Sequence, residues 1–101
     1  MIVNLNAPFV DLDNKPVKDN AGVELILSKF LSNAIFNNDA KELGKPISVH
    51  AWALNLHSTG EIEVTAKELD AFVEYITTNP GMSTGMKAQL IACFNKAAEQ
   101  K

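Results

Sequence analysis

Two histidines, one cysteine, one tryptophan and a scatter of carboxylates are the side chains that could do chemistry here. His50 and His57 lie seven residues apart. On a helix they would share a face two turns apart, about 10 Å at 1.5 Å per residue. That is too far to chelate one metal ion, and neither has a third ligand close by in sequence. Both read as surface or core-edge histidines. Asp11-Leu12-Asp13-Asn14-Lys15-Pro16 opens like a calcium loop. Its sixth position is Pro16 where glycine is needed, its fifth is Lys15, and its twelfth is Gly22 rather than glutamate. It reads as a turn.

Ser83-Thr84-Gly85 has no histidine or acid placed by a recognisable catalytic motif. Glu61, Glu63, Glu68 and Glu74 offer carboxylates without the pairing that acid–base catalysis requires, and read as a solvated face. Cys93 stands in the apolar helical pattern Leu90, Ile91, Cys93, Phe94, so a buried structural thiol is expected. A single cysteine also excludes an intrachain disulfide. Trp52, flanked by the two histidines, can serve as a core anchor or as part of a binding patch. No catalytic residue, metal site or cofactor is expected, and the chain reads as a non-enzyme.

The elements that must hold these residues are clearest between Gly60 and Ile76. Glu61-Ile62-Glu63-Val64 alternates, which predicts a short strand with Ile62 and Val64 on one face. Thr65 and Glu68 have the spacing of a capping box, and Leu69, Phe72, Val73 and Ile76 then follow helical spacing. Asn79-Pro80-Gly81 stops that helix. At the N-terminus, Ile2 to Leu12 and Pro16-Val17-Lys18-Asp19 predict a β-hairpin around Asp13-Asn14-Lys15-Pro16, with Val10 and Leu12 facing Val17 or its neighbours. Pro8 confines any strand there to an edge.

From Val23 to Ile35 the apolar residues keep helical spacing, which predicts the longest helix, of about 13 residues. Asn37-Asn38-Asp39 would end it. Pro46 to His57 alternates in part, as a strand would. Pro46 at its start, its alanines and the pairs Val49–Ala53 and Trp52–Leu56 favour a helix. A last amphipathic helix, Ser83–Gln100, is expected from Met86, Leu90, Ile91 and Phe94, capped by Ser83 or Thr84, with Lys96 and Lys101 near its negative end. No internal repeat or linker stands out. The expected architecture is α+β: an N-terminal hairpin, extended to three strands if 61–64 joins it, packed on three or four helices in a single domain spanning 1–101.

Charge narrows the partners. The net value of −3 opposes attraction to phosphate backbones, and all nine basic residues are lysines, so bidentate arginine recognition is absent. Nucleic acid is therefore disfavoured. The alternative of a DNA-binding regulator rests on the C-terminal helix pair as a helix-turn-helix, with Lys87, Gln89, Asn95 and Lys96 as the contacting residues. No apolar run approaches the about 20 residues of a membrane span and no secretory leader is evident, so a cytoplasmic location is expected.

Leu12-Asp13-Asn14-Lys15-Pro16-Val17 and Ile62-Glu63-Val64-Thr65-Ala66-Lys67-Glu68-Leu69 together resemble the turn and capped helix of short uncharacterised proteins encoded by tailed bacteriophages and prophages. That resemblance covers the layout of most of the chain, carries no functional residues with it, and would place the protein in a host cytoplasm. The function expected is a protein-interaction module, such as a phage accessory or assembly factor, that binds a protein partner or itself. Leu25, Phe36, Trp52 and Tyr75 are the candidate exposed anchors.

Overall fold

The computed structural model describes residues 1–37 and 40–99. The helix stop expected at Asn38 and Asp39, and the C-terminal Gln100 and Lys101, lie outside them. The architecture is α+β: strands β1 (Ile2–Asn4) and β2 (Glu61–Glu63), and helices α1 (Leu27–Asn37), α2 (Pro46–Ser58), α3 (Ala66–Thr78) and α4 (Thr84–Glu99).

The two strands are antiparallel with Val3 opposite Ile62. Alternation puts Val3, Ile62 and Val64 into the core and leaves Ile2, Glu61 and Glu63 outside. The 61–63 strand thus pairs with the first residues of the chain and not with the hairpin that follows them. Thr65 then starts α3 as expected. Its hydroxyl accepts from the Glu68 N–H (3.2 Å), and the Glu68 carboxylate accepts from the Thr65 N–H (2.8 Å), which closes the capping box. At α4 the cap is Ser83, whose Oγ accepts from the Met86 N–H (3.2 Å).

Residues 7–27 hold the largest departure from expectation. α1 begins at Leu27 and not at Val23, and α4, with 16 residues, is longer than the 11 of α1. Residues 23–26 are drawn into a ring of three extended segments. The Phe9 N–H donates to the Leu25 carbonyl (2.7 Å), Leu25 to Val17 (2.9 Å), and Val17 back to Phe9 (2.8 Å). Each member donates once and accepts once, so the backbone polar groups of all three are satisfied within the ring.

The segments are joined by two turns of the same construction. Asp11 Oδ1 accepts from the N–H groups of Asp13 and Lys15, and Asp19 Oδ1 from those of Ala21 and Val23. Asn14 (φ 64°) and Gly22 (φ 81°) take the left-handed position in the two turns. Residues 9–16 and 17–24 are therefore two copies of one eight-residue unit, an internal repeat that sequence reading passed over. The expected hairpin exists with Val10 bridged to Pro16, but Leu12 rides on its turn, fully exposed, instead of facing Val17.

The core is centred on three aromatic rings from three helices. Trp52 meets the edge of Phe72 (centroids 5.0 Å apart), and Phe72 stacks on Phe94 (5.1 Å, 23° between planes). Phe72 and Phe94 are fully buried, as are Leu5, Leu31 and Leu56 around them. Gln89 of α4 locks the three-segment ring to this core. Its side-chain amide donates to the Val10 carbonyl (2.9 Å) and accepts from the Val10 N–H (3.0 Å).

Candidate functional site

The residues singled out for protein binding divide sharply. Trp52 and Tyr75 are core residues, 9% and 6% exposed, and are not surface anchors. Trp52 fills the space beside Phe72. Tyr75 lies one residue before the expected stripe member Ile76 and is buried with it. Its hydroxyl has no hydrogen-bond partner among the described residues. Burial and the Glu42 carboxylate push the Tyr75 pKa up, and the Asn79 side chain opposes that rise without reaching bonding geometry. Leu25 is half-buried in the ring. Only Phe36 stands free, 60% exposed at the end of α1.

The residues offered for DNA divide in the same way. Gln89 is committed to Val10, and Lys87 Nζ donates to the Thr77 carbonyl at the end of α3 (2.9 Å), where its charge suits the negative end of that helix. Asn95 and Lys96 are exposed on α4.

Phe36 stands beside further exposed apolar side chains on α2. Pro46 sits at the first turn of α2, so the 46–58 segment is helical and the alternating reading does not hold. One side of this helix, Val49, Trp52, Ala53 and Leu56, enters the core. The opposite side is also apolar: Ile47 and Leu54 are 86% and 55% exposed, with Ala51 and Ser58 completing a stripe at 4-3-4 spacing. His50 and His57 flank that stripe on the side of Phe36, and the His50 ring meets Phe36 edge-on at 5.6 Å. Clefts of about 250 and 240 Å³ lie on either side of Phe36, one reaching His50 and Pro46, the other Leu54 and His57.

No Asp, Glu, Lys or Arg occurs between Pro46 and Ser58, although a fifth of the chain is charged. A surface helix ordinarily carries its charges on the side away from the core. Ile47 and Leu54, on which this face depends, were missed in the sequence. Their signal is present there, as the uncharged run that also made helix and strand hard to tell apart.

A further depression, of about 490 Å³, runs over the outer face of the two-stranded sheet between Asn4, Glu61, Cys93 and Lys96. Cys93 is half-buried at its wall. Burial pushes the Cys93 thiol pKa up, with the Lys96 ammonium opposing. The thiolate fraction at pH 8 is therefore reduced. Alkylation of the native protein by iodoacetamide is expected to run slower than that of a free thiol, and to reach the free rate in denaturant. Equal rates in the two conditions would contradict the burial.

Among the described residues, no group of three or more His, Cys, Asp and Glu is placed to hold a metal ion, and no helix is long and apolar enough to cross a membrane. Comparison of the chain with protein-family models, curated proteins and solved structures finds no match.

Proposed function

We propose that the protein is a non-enzymatic interaction module that docks a protein partner on the face formed by α2 and Phe36. One observation carries this reading: the solvent side of α2 is uncharged and presents Ile47 and Leu54 beside Phe36. Three large apolar side chains grouped on one face expose area that folding did not remove from water, and such patches mark interaction surfaces. Phe36, rigid and flanked by two clefts, has the character of an anchor. The likeness of Leu12–Val17 and Ile62–Leu69 to phage-encoded proteins supports an accessory or assembly role for the module.

A photo-crosslinking amino acid placed at Leu54 in producing cells tests the docking face. A discrete protein adduct is expected from position 54 and none from Lys67, exposed on α3. Absence of any adduct at both Leu54 and Ile47, or equal labelling from Lys67, would overturn the reading.

A further inference from the structure

We infer that the partner on this face is a second copy of the chain, with α2 lying antiparallel to the α2 of its twin across a two-fold axis. The inference rests on the docking reading above and adds the occupant and its geometry. A two-fold interface sets a patch against itself, so a patch of one charge sign would repel its copy. The outer side of α2 has no charged residue to repel. Its flanking histidine and asparagine side chains, His50, His57 and Asn55, include both donors and acceptors and can pair with copies of themselves.

The spacing fits as well. Ile47, Ala51, Leu54 and Ser58 recur at the 4-3-4 interval of a helix–helix seam. Turning the helix end for end about the middle of that stripe sets Leu54 against Ala51 of the second copy, and Ile47 against Ser58. Each large side chain thus meets a small one, and each copy supplies both halves of the fit. The first charges met beyond the helix are Lys45 before it and Glu61 after it. Antiparallel pairing brings the lysine end of one copy to the glutamate end of the other, and opposes the two helix dipoles favourably. Parallel pairing would bring like ends together.

The area sets the strength. A 13-residue helix offers a face roughly 20 Å long and 10 Å wide. With Phe36 added, this is about two-fifths of the ~800 Å² per partner in a stable interface of standard size. The dimer is therefore a weak, reversible one.

Sedimentation of the purified protein from micromolar to millimolar concentration tests this. The dimer fraction should rise with concentration, and Leu54→Asp should raise the dissociation constant at least about tenfold. Leu12→Asp, which removes a still more exposed leucine on the hairpin turn, should leave it unchanged. Ala51→Trp should weaken the dimer, because the close approach opposite Leu54 is lost, whereas non-specific sticking would strengthen with the added apolar surface. Circular dichroism verifies that each variant is folded.

A wild-type chain that stays monomeric to millimolar concentration overturns the inference, as does a dimer weakened equally by Leu12→Asp or strengthened by Ala51→Trp. Monomer in solution together with a Leu54 adduct to a different protein in cells removes the second copy while leaving the docking face in place. Monomer with no adduct removes both.

Discussion

Phe72→Ala should cost about 3–5 kcal/mol of folding stability, the largest effect of any single truncation in the chain. Phe72 is fully buried and is the middle ring of the Trp52–Phe72–Phe94 stack, so its loss strips contacts from both neighbours at once. The vacated space is lined by side chains of three helices, each tied to the others by further packing, which limits collapse into it. A domain of this size has a total stability of about 5–15 kcal/mol, so the variant should melt roughly 15–30 °C lower or fail to fold at all. Phe72→Leu keeps most of the volume and should cost about a third as much. Chemical denaturation of the two variants checks the ratio; a loss below about 1 kcal/mol for Phe72→Ala would show that the stack is not the centre of the core.

Gly60→Ala is the second large effect, and it is a backbone effect. Gly60 joins α2 to β2 with φ +79°, a conformation that costs an alanine roughly 1–2 kcal/mol. A Cβ there would also lie 2.8 Å from Asn6 Cβ and 3.3 Å from Asn6 Cα. Asn6 cannot simply retreat, because its neighbour Leu5 donates to the Gly60 carbonyl at 2.8 Å. Clash and strain together should bring the loss to about 2–4 kcal/mol. Gly22→Ala separates the two causes: its φ is +81°, yet nothing lies within 4 Å of the new Cβ. Thermal melts should place Gly22→Ala at about 1 kcal/mol. Equal losses at the two sites would mean that the approach of Asn6 contributes nothing.

The parts of this fold that were legible in the sequence are those where local chemistry and tertiary demand agree. Thr65 and Glu68 cap α3 through bonds three residues apart, which nothing distant can veto. Ile62 and Val64 alternate into the core for the same reason. Residues 23–26 are the opposite case. Val23, Ile26 and Leu27 keep helical spacing, but the turn anchored by Asp19 and the backbone bonds to Phe9 and Val17 hold the segment extended. Tertiary pairing outweighs a periodicity that could serve either state. The repeat escaped notice because only an apolar residue, an aspartate and a left-handed residue recur in it, and because Asn14 and Gly22 fill the same role with different chemistry.

The candidate surface was half legible. Phe36, Trp52 and Tyr75 were all put forward as exposed aromatic anchors, and of the three only Phe36 lies at the surface. Burial of a side chain depends on which of its helix's sides faces the core, and α2 is apolar on both. Hydrophobicity alone could not choose between Trp52 and Leu54. Packing against Phe72 decides it for Trp52, which leaves Ile47 and Leu54 outside.

The three-segment ring near the N-terminus bears on how the protein behaves when crowded. Short extended segments with unpaired rims are templates on which other chains add strands, and aggregates grow from them. Here Phe9, Val17 and Leu25 each direct their N–H and carbonyl groups to one another, so the ring closes on itself as a barrel does. The amide from Gln89 covers the Val10 groups that point away from it. The backbone N–H and carbonyl groups of Phe9, Val10, Val17 and Leu25 are thus already engaged, which disfavours strand-by-strand growth at those positions.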